Sequence, residues 1–452
     1  MPEHTQHPAP GPGSERPVGK PKVKASDYAD PPPPEPVRLE ARPFTWLDPG
    51  TWSNSIKFFP AYVVLVAIFI AVYYNHFTDP TIDLSSFETC TGSFNYSFRI
   101  NAAMTQAHRH SVRSWEIGYA YEATQQIYNP ERSVLGPDPF PGGKVPKLGL
   151  RLDEASLYIE PKLKTDGKSW PKQKDFVLNE APRYSNGAIS HRMEQSELSS
   201  DAVAMVPPFL AYYGVATNDL DLVKEAVRQI SLCRSILVIN SGPQQGLWRH
   251  IAGPSDFIDN GAWSTGNAWA AYGMARVRAT IAACPRSKED MAKELNDLDM
   301  WISELPGGVA RTDDDSSGLL RNYLGETSWG GETSGTSLLA ATAYRMAIMR
   351  PEVFAKPMLL DWTHRKRQAH NLRTPFTGIS AEGESFLLLP GTAWRDCVCT
   401  GTGNCLDTYV KETGQDPHAE MSLREAVDQF AAVIMAPVKV KWESVKKYSG
   451  AP

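Results

Sequence analysis

Residues 58–74 form a run of seventeen residues without a single charge, and buried core helices are rarely so uniformly apolar. At about 1.5 Å per residue the run reaches roughly 25 Å, close to the ~30 Å hydrocarbon thickness of a bilayer once its flanks are counted. Phe58, Phe59, Tyr73 and Tyr74 would stand at the two interfaces, where aromatic rings favour the boundary between lipid and water. Pro60 falls in the first turn, where its missing N–H costs little. A cleaved leader fits poorly, because more than fifty residues precede the run and no small-x-small pattern follows Tyr74. The run predicts a signal anchor over 58–77.

The basic residues orient that anchor. Arg38, Arg42 and Lys57 precede it closely, whereas the next lysine or arginine after Tyr74 is Arg99. The positive-inside rule then predicts a single-pass type II protein, with 1–57 in the cytosol and the rest lumenal or extracellular, in the secretory pathway or at the cell surface. Residues 1–57 include Pro31 to Pro34 and few large apolar side chains, so they cannot offset their ordering entropy and read as a disordered tail. Asn95-Tyr96-Ser97 is an N-glycosylation acceptor just beyond the anchor. All six cysteines also lie on that side. In an oxidising compartment Cys90, Cys397, Cys399 and Cys405 are candidates to pair, while Cys233 and Cys284, beside apolar helical faces, read as buried thiols. The Cys397-x-Cys399-x5-Cys405 cluster has no nearby histidine, so no metal site is expected.

Beyond a linker over 78–104, the chain reads as one large helical domain over 105–415, with a C-terminal helical extension over 416–452. Apolar residues recur at three and four positions over 110–127, 202–215, 220–237, 267–283, 287–303, 336–349 and, interrupted by Pro390, 384–397. The connections 240–246, 307–318 and 325–335 are rich in Gly, Pro, Asp and Ser. Period-two strand patterns are few. Helices arriving in pairs predict an all-α fold of α/α barrel or solenoid type, and no fixed repeat favours a binding solenoid. Small residues crowd 268–273 and 338–343, as a close-packed inner ring requires. The net charge is −5 and no basic run is interleaved with aromatics, so nucleic acid is not expected as a partner. Twelve Trp and seventeen Tyr suit sugar stacking, although core packing accounts for most of them.

Five blocks carry a family resemblance. Asp201-Ala202-Val203-Ala204-Met205 opens the first, through Gly214. Gly246-Leu247-Trp248-Arg249-His250 follows, then Trp263-Ser264-Thr265-Gly266-Asn267-Ala268-Trp269, then Glu332-Thr333-Ser334-Gly335-Thr336. The last is Glu382-Gly383-Glu384-Ser385-Phe386, continuing to Ala393-Trp394-Arg395-Asp396. In this order the blocks resemble the unsaturated rhamnogalacturonyl and glucuronyl hydrolases of glycoside hydrolase families 105 and 88, in particular fungal-type members. The resemblance implies a six-hairpin (α/α)6 barrel and an oligosaccharide substrate ending in a 4,5-unsaturated uronic acid. It assigns Asp201 as the catalytic acid/base, with His250, Trp263, Asn267, Trp269, Met205 and His191 as substrate-binding residues. It implies no cofactor.

A single carboxyl with a raised pKa serves such a reaction, first giving a proton and then taking one. Asp201 precedes an apolar helix, where desolvation would raise its pKa, but the same position suits a helix N-cap. Trp269 equally fits a core position, and Met205 fits one better. Two departures stand out. The family carries an arginine for the substrate carboxylate where this chain has Thr265, and threonine offers no bidentate pairing. A second family aspartate has no clear counterpart around 186–191, with Glu194 and Glu197 the nearest carboxylates. Two other readings therefore remain: a glycan-binding pseudoenzyme on the same barrel, and a type II Golgi glycosyltransferase, for which Asp313-Asp314-Asp315 is the one candidate nucleotide-sugar site.

Overall fold

The computed structural model describes residues 90–91, 94, 96, 100–145, 169–254, 258–313, 315–369 and 380–418. They belong to the second of two compact units, 76–452. The expected anchor, the tail, Asn95 and nearly all of 416–452 lie outside the described residues. Among the described residues, no helix is long and apolar enough to cross a membrane.

The described chain is mostly helical and barrel-like, with thirteen α-helices and four two-residue strands. Five helices form an inner layer: α2 (Ser114–Tyr128), α4 (Ala202–Thr217), α6 (Ser264–Ala283), α9 (Thr333–Met349) and α12 (Ala381–Cys399). Four others pack outside them: α5 (Leu220–Leu237) on α4, α8 (Ala292–Thr312) on α6, α11 (Pro357–Ala369) on α9 and α1 (Ile100–His110) on α12. The remaining helices are α3 (Ser169–Asp175), α7 (Pro285–Asp290), α10 (Pro351–Phe354) and α13 (Cys405–Thr413).

Sequence separates the two layers. α5 buries Leu222, Val223, Ala226, Val227, Ile230 and Cys233, a single stripe at helical spacing, and leaves the opposite face to water. α6 instead buries its whole circumference from Ser264 to Val277, save Arg276. Its small residues let neighbours approach. A Cβ on Gly273 would sit 2.5 Å from the Val203 carbonyl oxygen and 2.7 Å from Ala204 Cα, so α4 and α6 touch backbone to backbone.

The N-termini of the inner helices meet at one end. A Cβ on Gly266 would lie 3.4 Å from Asp201 Oδ1, joining α6 to α4, and one on Gly335 would lie 2.6 Å from Thr265 N, joining α9 to α6. A Cβ on Gly383 would lie 3.4 Å from Ser334 Oγ, joining α12 to α9. This end is the mouth of the bore. One turn below it, Tyr119, Trp269 and Phe386 close the interior as an aromatic plug, with ring centroids 4.4 to 5.7 Å apart and nearly perpendicular planes. Two short antiparallel ladders brace the mouth. β1 (Leu198–Ser199) pairs with β2 (Ile251–Ala252), and β3 (Leu320–Arg321) pairs with β4 (Gly331–Glu332).

Several expectations change. The expected helix over 110–127 begins four residues later, as α2, because the Glu116 carboxylate accepts the amides of Val112 (3.0 Å) and Arg113 (2.9 Å) and separates it from α1, which ends at His110. The expected 287–303 helix breaks at Met291, and α8 then runs through Pro306 to Thr312, into what reads as a loop. α12 likewise continues through Pro390. The expected linker supplies Phe94 to the core, stacked 4.7 Å from Tyr409. Cys90 bonds to Cys399 and Cys397 to Cys405, while Cys233 and Cys284 are free and buried, as the sequence led one to expect.

Candidate active site

Asp201 stands at the mouth, between β1 and α4. Its backbone is already helical (φ −65°, ψ −32°) and its side chain makes no cap bond, so α4 does not consume the carboxyl. Oδ1 is buried and unpartnered. Burial raises the pKa of this carboxyl, while His250, His191 and the nearby Ser199 and Ser200 hydroxyls pull the other way. A carboxyl held this way can keep a proton at a pH where an exposed aspartate has lost it.

His250 is fixed from behind. Its Nδ1 lies 2.9 Å from Asp259 Oδ2, which also accepts the Tyr323 hydroxyl at 2.6 Å, and Asp259 Oδ1 accepts the Gly261 amide at 2.9 Å. Burial would raise the Asp259 pKa, but these hydrogen bonds hold it below the usual carboxylate range. An ionised Asp259 favours the proton on Nδ1 and leaves Nε2 for the site. The imidazole packs on Trp263 with centroids 4.4 Å apart, and the Trp263 indole donates to Asn322 Oδ1 at 3.0 Å. His191 keeps an exposed edge. Crowding by the surrounding protein lowers its pKa, against the attraction of Asp201 and Glu197.

Two more carboxyls lie at the same end. Glu332 caps α9: its Oε1 accepts the Gly335 amide at 2.8 Å and the Ser264 hydroxyl. Burial raises its pKa, opposed by bonds from Ser264, Gly335, Ser334 and Thr265. Glu382, in the first turn of α12, accepts a hydrogen bond from Trp115 on α2. Burial, and then the neighbouring Asp201, push it up to about 7.

The structure thus brings Asp201, His250, His191 and Trp263 together and leaves Met205 half-buried against the core. Two expected sugar contacts are corrected. Asn267 is fully buried, and its carboxamide accepts the Trp248 amide (2.7 Å) and donates to the carbonyls of Trp248 and Trp263 (2.9 Å each). Both of its N–H donors are spent inside the protein, and burial keeps the carboxamide from a sugar hydroxyl. Trp269 is 2% exposed and belongs to the plug. Glu197, a sequence candidate for the second acid, pairs with Arg192 at 2.7 Å and accepts from Gln195 at 3.0 Å. Asp313 receives Trp362 Nε1 (3.0 Å) and Lys366 Nζ (2.7 Å), and Asp315 pairs with Arg321 (3.1 Å), so both are tied to protein partners rather than open to a nucleotide sugar. Asp314 lies outside the described residues.

Asp259, Tyr323 and the role of Glu382 were missed. Asp259 carried a signal, nine residues after His250 and two before Gly261, but a lone aspartate in a loop also reads as a turn. Glu382 falls inside a quoted block, yet only the folded barrel brings it within electrostatic reach of Asp201.

Residues 155–352 match the model of Glycosyl Hydrolase Family 88. That span holds Asp201, His250, Asp259, Trp263 and Glu332. Looser likenesses reach solved structures. A possible member of GH105 family from Salmonella enterica serovar Paratyphi A is 18% identical over 53% of this chain and 69% of its own, with a TM-score of 0.44. A possible member of GH105 family from Klebsiella pneumoniae is 15% identical over 68% and 82%, also at 0.44. The unsaturated glucuronyl hydrolase of Bacillus sp. GL1, responsible for the degradation of glycosaminoglycan, is 15% identical over 47% and 60%, at 0.35. No curated protein matches the chain.

Proposed function

We propose, from a chain whose residues 155–352 carry Glycosyl Hydrolase Family 88 sequence, that it is a six-hairpin glycoside hydrolase with Asp201 as its acid/base, acting on oligosaccharides that end in an unsaturated uronic acid. The observation that carries this reading is a mouth-facing aspartate whose Oδ1 is buried and unpartnered, beside a histidine oriented by its own carboxylate. In such a reaction the acid protonates the vinyl-ether double bond, water adds at the neighbouring carbon, and the hemiketal collapses to release the next sugar. His250 and the face of Trp263 would orient the ring and the water.

Asp201→Asn keeps the shape and removes the transferable proton. With lyase-generated unsaturated disaccharides, loss of double-bond absorbance should slow by about 10²–10⁴-fold while the fold persists. Equal rates in wild type and variant would end the assignment. Thr265 hydrogen-bonds Glu332 where the family holds an arginine, and this favours a second reading, a glycan-binding pseudoenzyme. An inactive wild type that still binds such glycans would establish that reading instead.

The same proposal places the domain in an oxidising compartment behind a type II anchor, supported by its two disulfides. Protease added to sealed microsomes should remove only the tail, and Asn95→Gln should abolish an N-glycan shift. A protected N-terminus would overturn the topology.

A further inference from the structure

The plug closes the bore one turn below the mouth, so a sugar chain can enter only by its end. The rest of such a chain must leave across the rim. Beside His250 that rim is the loop 322–330, between β3 and β4.

This loop is bolted to the site. The Tyr323 hydroxyl donates to Asp259 Oδ2 at 2.6 Å, and the same oxygen lies 2.9 Å from His250 Nδ1. Gly261 makes room for the Tyr323 ring, which comes within 2.5 Å of where a Cβ would stand. The Asn322 carbonyl accepts the Ser264 amide at 2.9 Å, and the Leu324 amide donates to the Ala262 carbonyl at 2.9 Å. At the other end of the loop, Arg321 donates to the Trp329 carbonyl at 2.6 Å while pairing with Asp315 at 3.1 Å. The Asn322 amide donates to the Gly330 carbonyl at 3.0 Å. The backbone that carries Trp329 is therefore fixed on both sides.

On that fixed backbone Trp329 is 44% exposed. Its indole leans on Tyr323, with centroids 5.1 Å and planes 40° apart, and the remainder meets water. Steps of 2.9, 2.6 and 5.1 Å lead from the His250 ring through Asp259 and Tyr323 to this indole. It stands two side chains outward from the histidine. A large aromatic held rigidly in water beside a pocket gives contact area at little ordering cost.

We propose that Trp329 is an outer sugar subsite, on which a pyranose beyond the scissile bond stacks, so that the substrate is an oligosaccharide longer than a disaccharide. This rests on the reading of Asp201 and His250 as the place of the terminal sugar. The apolar face of a pyranose suits an indole, and its hydroxyls stay in water. Arg321, the cation of this loop, is engaged by Asp315 and by the carbonyls of Thr327 and Trp329. Stacking rather than charge does the recognition here, and the outer sugar need not be acidic.

The test uses the full-length protein with a lyase-generated unsaturated disaccharide and the tetrasaccharide of the same repeat. Wild type should show a lower KM for the longer chain. Trp329→Ala should raise the tetrasaccharide KM about tenfold relative to the disaccharide KM, the scale expected when a contact tryptophan is truncated. kcat should move far less, because a stack on an unreacting sugar is the same before and during reaction. Trp329→Phe keeps a ring and should restore most of the difference. Trp329→Gln keeps bulk against Tyr323 and should repeat the alanine result even if the alanine variant misfolds. Equal KM values for the two lengths in wild type, or variants that weaken both alike, would overturn the subsite. Calorimetric titration of the same saccharides into Asp201→Asn, with and without Trp329→Ala, separates binding from turnover. If wild type cleaves neither saccharide but the tetrasaccharide still binds more tightly through Trp329, the hydrolase reading falls and the subsite stands. Binding that ignores chain length, or no binding, overturns the subsite.

Discussion

Asn267 and Glu382 show opposite uses of a polar side chain inside a helical ring. Asn267 satisfies one backbone amide and two carbonyls. Asn267→Ala should therefore cost about 3 kcal/mol, since each buried group left unpaired costs about 1–3 kcal/mol. Chemical denaturation would read this as a lower midpoint with an unchanged slope. Glu382 is costly to fold when ionised. A carboxyl raised from 4.5 to about 7 binds its proton more tightly in the folded state, so stability falls as pH rises through that window and stays low above it. At 1.36 kcal/mol per pH unit the ceiling is about 3 kcal/mol. Glu382→Gln should thus be more stable than wild type at pH 8 and no more stable at pH 4; equal stability at pH 8 would contradict the buried carboxyl. Thr265→Arg tests the family's missing arginine. Thr265 is 2% exposed beside Glu332, so the new guanidinium should pair with Glu332 and fail to restore substrate affinity, measured as an unimproved KM.

At the scale of elements, amphipathic helices such as α5 were legible because a single buried stripe repeats at helical spacing. Boundaries set by side chains were not. The restart at Ser114 depends on the Glu116 carboxylate folding back on two amides, which no periodicity records. α11 was missed because its buried Lys366 is polar in sequence and is satisfied by Asp313 and the Gly318 carbonyl, both in the segment after α8. The site was legible to the same depth. Asp201 and His250 stood out in their blocks, whereas Asn267 and Trp269 were misread as sugar contacts, because residues from other segments bury them. Close approach of α4 and α6 gives a further prediction. Gly273→Ala puts a methyl within 2.7 Å of α4 backbone, and such overpacking costs typically about 1–3 kcal/mol. Because that contact lies beside Val203, two residues from Asp201, thermal unfolding and catalytic rate should both fall.

For the molecule as a whole, the mouth and the covalent staples lie at opposite ends of α12. Glu382 opens the helix, while Cys397 and Cys399 close it and bond to Cys405 and Cys90. The Cys90–Cys399 bond spans 309 residues of sequence. Its removal should cost about 2–5 kcal/mol, read as a lower Tm for Cys90→Ser; an unchanged Tm would mean the staple adds nothing. The bond also sets how the domain bears load. Tension entering ahead of residue 90 and leaving beyond residue 399 crosses one sulfur–sulfur link and bypasses the barrel between them. Stretched in a force spectrometer, the oxidised protein should keep that length hidden. Reductant should then release roughly 100 nm of contour, at about 3.5 Å for each of those residues.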